Sequence, residues 1–131
     1  MLIAIFQKMK LRIKGNSIRL RLLKSEVEKF AEDGRISDQT RFSDSSLRYT
    51  LAMSSDAGEI FGKFDNNEIT VFIPDQAAKE WASNDNVGFE IEQPTGANEI
   101  LTIIIEKDFV CIDRTDDPDR EDAYPNPNVS C

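Results

Sequence analysis

The sequence predicts the α+β class: about eight mostly antiparallel strands in a strongly curved sheet or barrel, two short helices, and two ββαββ-like halves. Three observations carry this. Apolar residues alternate with period two through several short stretches, as on a strand with one buried face. Twice the spacing then turns helical. Leu23, Val27, Phe30 and Ala31 form one stripe, and Pro74, Ala78, Trp81 and Ala82 the other. The two stretches also superpose. A shift of 51 positions places Ile13 on Phe64, Asn16 on Asn67, Ile18 on Ile69, Leu20 on Val71, Leu22 on Ile73 and Phe30 on Trp81. This is the mark of an internal repeat, although unrelated ββα units align in the same way.

Met9–Lys14 and Ser17–Leu22 read as a hairpin turning at Gly15–Asn16, two residues that tolerate positive φ. Met9, Leu11, Ile13, Ile18, Leu20 and Leu22 form its apolar side, and Lys10, Arg12, Lys14, Arg19 and Arg21 the other. A helix follows, about Lys24 to Asp33, with Glu26 and Glu28 near its positive end and Gly34 closing it. Arg35–Phe42 and Leu47–Met53 read as strands, the first weakened by Ser37-Asp38-Gln39. Ser54 to Gly58 separates the halves. Glu59–Phe64 and Glu68–Ile73 repeat the hairpin, and Pro74 suits the first turn of the second helix, which runs to Ser83. Val87–Gln93 and Glu99–Lys107 complete the set, joined through Pro94-Thr95-Gly96. The run Ile100, Leu101, Ile103, Ile104, Ile105 is apolar on both faces, as in a central, covered strand.

At 131 residues the expectation is one domain spanning the chain. Its core covers about 9–109, and an acidic Asp/Pro/Asn-rich segment occupies 110–131. The apolar patch at Met1–Phe6 is too short for a secretory signal, and Met9 opens a cleaner strand than Met1 does. No apolar run approaches the roughly 18 residues of a membrane span. Cys111 and Cys131 have no CxxC spacing and read as reduced thiols of a cytoplasmic protein.

The net charge of −8 is unevenly spread: residues 1–30 carry +6 and the remainder −14. Overall acidity argues against general nucleic-acid binding. The chain contains no histidine. That excludes Ser–His–Asp and Cys–His nucleophile systems and His-based zinc sites, and any catalysis would rest on carboxylates, Lys, Tyr or Cys; no catalytic residue, metal site or cofactor is assigned.

The basic hairpin side is the leading binding candidate, because like charges opposed across a hairpin repel and a bound anion would offset them. A solvated outer sheet face is the plainer reading. The sharper alternative turns these cations inward, toward Glu90 and Glu92, in a barrel that holds a polyphosphate and a divalent cation. That layout is similar to the CYTH-type triphosphate-tunnel phosphohydrolases. Their opening Glu-x-Glu-x-Lys is replaced here by Lys10-Leu11-Arg12-Ile13-Lys14, which lacks the carboxylates. Asp117, Asp119 and Glu121 alternate as a calcium loop begins, but Asp122 and Asn128 stand where its Gly and Glu belong. Residues 113–122 could instead fold back over the basic hairpin, neutralising both charge excesses.

The segments Met9-Lys10-Leu11-Arg12-Ile13-Lys14-Gly15-Asn16, Ser25-Glu26-Val27-Glu28, Glu106-Lys107-Asp108-Phe109-Val110-Cys111 and Tyr124-Pro125-Asn126-Pro127 resemble a small family of uncharacterised bacterial proteins, a domain of unknown function of Bacteroidetes and relatives. The resemblance implies a stand-alone cytoplasmic protein starting at Met9 and supplies no activity. The resulting expectation is a small binding protein whose basic hairpin meets an acidic ligand or partner, with no nucleic acid and no membrane involved. The alternative is a metal-assisted phosphohydrolase. A homo-oligomer that buries the hairpin against its neighbour is a further reading.

Overall fold

The computed structural model describes residues 9–108. In chain order the elements are β1 (Lys10–Lys14), β2 (Ser17–Leu22), α1 (Lys24–Asp33), β3 (Arg35–Arg41), β4 (Ser46–Ser54), β5 (Phe61–Asp65), β6 (Glu68–Pro74), α2 (Asp75–Ser83), β7 (Gly88–Gly96) and β8 (Glu99–Lys107). The α+β class and the ββαββ order of both halves are as the periodicity predicts.

The strands form two four-stranded mixed sheets, β1-β2-β8-β7 and β3-β4-β6-β5, rather than one closed barrel. Every hairpin is antiparallel, but the central pairs β2–β8 and β4–β6 are parallel. Each sheet therefore joins one hairpin from each half. Replacing β1, β2, β3 and β4 by β5, β6, β7 and β8 turns one strand order into the other.

The barrel expectation fails at two seams. Between β1 and β3 the contact is made by side chains: Met9 N–H donates to Asp38 Oδ2 (3.1 Å), and Tyr49 O–H donates to the Met9 carbonyl (3.1 Å). Between β5 and β7 the Gln93 amide bonds the Gly62 backbone twice. A barrel would continue the backbone ladder across both gaps.

One apolar core lies between the sheets and beneath the helices. Leu20, Leu22, Leu51, Val71, Ile73, Ile103 and Ile105 fill it from the central strands. Val27 and Phe30 from α1 and Ala78 and Trp81 from α2 are also buried. The two rings meet edge-on, with centroids 6.3 Å apart. Trp81 also donates its indole N–H to the Val87 carbonyl at 3.2 Å, which satisfies its polar end.

Local chemistry explains the element ends. The Leu23 N–H at the start of α1 donates to the Glu26 carboxylate (2.8 Å). Gly34 ends α1 in the left-handed region (φ 78°), its N–H on the Phe30 carbonyl. Two expectations need correction. Pro74 does not open α2 from within; it closes β6 and stands at the helix N-cap with extended backbone. The last turn is not Pro94-Thr95-Gly96. The register slips between Pro94 and Gly96, and the chain reverses at Ala97–Asn98, whose φ values of 51° and 62° match those of Asn66–Asn67 in the equivalent hairpin. Pro94 is tolerated because β7 is an edge strand.

Candidate functional site: the outer face of the β1-β2-β8-β7 sheet

Residues directly opposed in a ladder share a face, so the register places every candidate residue. Three rows cross the outer face. Lys10, Arg21, Glu106 and Gly88 form one; Arg12, Arg19, Ile104 and Glu90 the next; Lys14, Ser17, Thr102 and Glu92 the third. All seven predicted residues lie on one face of one sheet. The five cations occupy β1 and β2. Glu90 and Glu92 occupy β7, two strand spacings from β2, or about 10 Å.

The face points away from the core. Lys10, Arg12, Lys14, Glu90 and Glu92 are exposed, and Arg19 and Arg21 are half-buried. The inward reading of these cations and carboxylates is thereby corrected. The inward-facing positions of the same strands hold Ile18, Leu20, Leu22, Ile103 and Ile105, and apolar side chains fill the space a tunnel would need.

Arg12 faces Arg19, and Lys10 faces Arg21, so two like-charge pairs oppose each other across one hairpin. Glu106 offsets part of this from the next strand. Arg21 places Nη2 2.7 Å and Nε 2.9 Å from Glu106 Oε1, and Arg19 Nε lies 3.7 Å from the same oxygen. Lys10 Nζ lies 2.9 Å from Asp108 Oδ2 at the end of β8. One carboxylate thus serves two guanidiniums, and a second carboxylate fixes the point where the chain leaves the sheet.

A polar cluster around the buried Glu26 went unread in the sequence. Glu26, Asp38 and Tyr49 gather where α1 meets the β1–β3 seam. Burial pushes the Glu26 carboxyl above its ordinary value. The Leu23 N–H opposes that shift, Asp38 and Asp108 add to it, and Lys10 works against it. Burial, then the charges of Asp38 and Glu26, raise the Tyr49 hydroxyl. The available signal was Glu26 three residues after Leu23, the spacing of a helix-start carboxylate that reaches back. On the other sheet Thr50 is fully buried on the outward side, its hydroxyl bonded to Glu68 Oε2 (2.6 Å) and Ser37 Oγ (2.8 Å). Among the described residues no group of three or more Cys, Asp or Glu is placed to hold a metal, and no helix is long and apolar enough to cross a membrane.

The family model of a family of unknown function (DUF7009) matches residues 9–128. The chain belongs to DUF7009. The match starts at Met9, where the resemblance began, and runs on through the acidic C-terminal segment. No curated protein and no solved structure matches the chain. DUF7009 membership therefore brings no activity with it. The calcium-like spacing at Asp117, Asp119 and Glu121, together with Cys111 and Cys131, lies outside the described residues.

Proposed function

We propose that this DUF7009 protein is a small cytoplasmic binding protein that uses the outer face of β1 and β2 to take an acidic polypeptide. The observation that carries this reading is the opposition of Arg12 to Arg19 and of Lys10 to Arg21. Like charges directly opposed on a sheet are destabilising, and an anionic partner converts that cost into attraction. A sheet face outside the core suits an extended chain better than a small molecule, which favours a concave site. Ile104, between Arg19 and Glu90, adds an apolar contact in the middle of the face. We also read the matching strand orders, and the meeting of Phe30 with Trp81 one repeat apart, as traces of an internal duplication.

The test is a titration of the full chain with a poly-glutamate peptide, with tripolyphosphate as the comparison anion, followed by thermal denaturation and calorimetry. A ligand bound only by the folded state at 100 times its Kd adds about 2.7 kcal/mol. The expected result is binding of the peptide that weakens with salt and is lost in Arg12→Ala/Arg19→Ala. Binding of tripolyphosphate alone, or peptide binding that survives the double substitution, would overturn the reading.

A further inference from the structure

The first sheet ends at β7, on the side opposite the basic hairpin. We propose that β7 takes up a further strand from another protein, an extended peptide in which Lys or Arg alternates with apolar residues. This site is separate from the β1–β2 face and does not depend on the acidic-partner reading.

The backbone of β7 supplies the first reason. Its one hydrogen-bonded neighbour is β8. The Lys107 N–H donates to the Val87 carbonyl (2.9 Å), so Val87 turns its backbone groups toward β8. Alternation turns those of Phe89 and Ile91 the same way, and those of Gly88, Glu90 and Glu92 outward. The outward Gly88 N–H donates to Asn86 Oδ1 at 3.2 Å. Among the described residues no hydrogen bond reaches the outward N–H and C=O of Glu90 or Glu92. Two other edges are held: Met9, just before β1, by Asp38 and Tyr49, and Gly62 of β5 by Gln93.

The side chains along β7 supply the second. Glu90 and Glu92 are exposed on the outer face. Ile104 and Thr102 stand between them and β2, and among the described residues neither carboxylate enters an ion pair. On the inner face Phe89 and Ile91 are only partly covered. Ile36 of β3, the edge strand in the equivalent position of the other sheet, is 7% exposed. A strand added beside β7 therefore meets two chemistries with period two. Its outer side chains come within about 4.5–5.5 Å of Glu90 and Glu92, where cations pair with the carboxylates. Its inner side chains cover Phe89 and Ile91. The net charge of −8 draws a cationic peptide from a distance.

The same features reject other strands. Two β7 edges brought together set Glu90 and Glu92 against their own copies. Pro94 has no N–H and ends the hydrogen-bonding edge beyond Glu92. A short basic strand is the occupant such an edge admits. Main-chain bonds supply its affinity, and the alternating side chains supply the choice of partner.

Titration of the full chain with fluorescently labelled Lys-Val-Lys-Val-Lys-Val-Lys peptide, followed by amide hydrogen exchange, tests this. The expected result is saturable binding that slows exchange at the Glu90 and Glu92 amides by about tenfold or more. Exchange at the Ile13 amide, on the opposite edge of the sheet, should not change. Affinity should fall several-fold in Glu90→Gln/Glu92→Gln, which removes the two charges from exposed positions. It should be lost when the peptide is N-methylated at every residue, which keeps its charge and removes its backbone donors. Equal binding of the N-methylated peptide would reduce the contact to a purely ionic one and overturn the proposal. Unchanged affinity in the double variant, binding without protection of Glu90 and Glu92, or no binding at all would also overturn it. Protection of those two amides that grows with protein concentration and needs no peptide would overturn it in favour of a second copy as occupant.

Discussion

Gln93 holds Gly62 at both of its backbone groups. The side-chain oxygen accepts from the Gly62 N–H at 2.6 Å, and the side-chain N–H donates to the Gly62 carbonyl at 3.0 Å. The amide of β7 thus does for β5 what a neighbouring strand would do, at the seam where the sheets fail to join. Gln93→Leu should cost about 1–3 kcal/mol, because it leaves a partly buried N–H and C=O without partners. Urea denaturation measures the loss. Hydrogen exchange at the Gly62 amide should rise in the variant while that at Val71 does not.

Gly88 starts β7 against the end of β8. A Cβ there would overlap the Ile105 carbonyl oxygen and fall 2.7 Å from Glu106 Cα, both backbone atoms that cannot step aside. Gly88→Ala should therefore exceed the roughly 1–3 kcal/mol that overpacking usually costs. Gly58, with open space around it, is the control, and Gly58→Ala should stay within about 0.5 kcal/mol of wild type.

The raised pKa of Glu26 has a defined sign. The folded state holds the proton above the pH at which the unfolded chain releases it. Between the two pKa values the folded state binds more protons, so stability falls as pH rises through that window. The window opens near the ordinary glutamate value, about pH 4.3. Glu26→Gln keeps an oxygen for the Leu23 N–H and removes the titration. Its stability relative to wild type should therefore grow from about pH 4.3 upward. A difference that stays flat with pH would refute this.

Phe30 and Trp81 are fully buried and touch each other from different helices. Truncating either to alanine should cost about 3–5 kcal/mol. In a double-mutant cycle the two losses should fall short of additivity by about 0.5–1.5 kcal/mol, the contribution of the edge-to-face contact itself.

Ala97 has a φ of 51°, a region where its Cβ is strained and asparagine is better tolerated. The equivalent turn uses Asn66 at the same φ. Ala97→Asn should stabilise the protein by up to about 1 kcal/mol. A thermal melt suffices to check it.

Much of the fold was written in local pattern. Period-two alternation located both basic-to-apolar hairpin strands and their second-half equivalents, the continuous apolar run Ile100–Ile105 marked β8, and helical spacing together with Gly34 bounded α1; β3 was the weakest by pattern. The basic hairpin face followed from Lys10, Arg12 and Lys14 alternating with Leu11 and Ile13. What the sequence withheld is non-local. Nothing in Leu20 marks Ile105 as its parallel neighbour, since any buried aliphatic strand would satisfy it. That pairing also decides where Glu90 and Glu92 lie. Once β7 joins β8 they share the outer face with the cations instead of facing them across an interior. The last turn was misplaced because Pro94-Thr95-Gly96 has stronger turn composition than Ala97–Asn98. An edge strand accepts that proline, and a register slip absorbs the glycine.

The exchange of hairpins between the sheets bears on how the protein is made. When a ribosome has delivered the first 54 residues, β1-β2 and β3-β4 are both present, yet each belongs to a different sheet and each lacks its inner neighbour. Isolated two-stranded hairpins are marginal in water. Leu20 then has a ladder partner only in Leu11 and Leu51 only in Ile36, and the inner sides stay unpaired until Ile105 and Val71 emerge. β8, which completes the first sheet, is the last strand among the described residues to leave the exit tunnel. The β3-β4-β6-β5 sheet can therefore pair fully once β6 is free, while β1 and β2 wait for β8 through the whole of the second half.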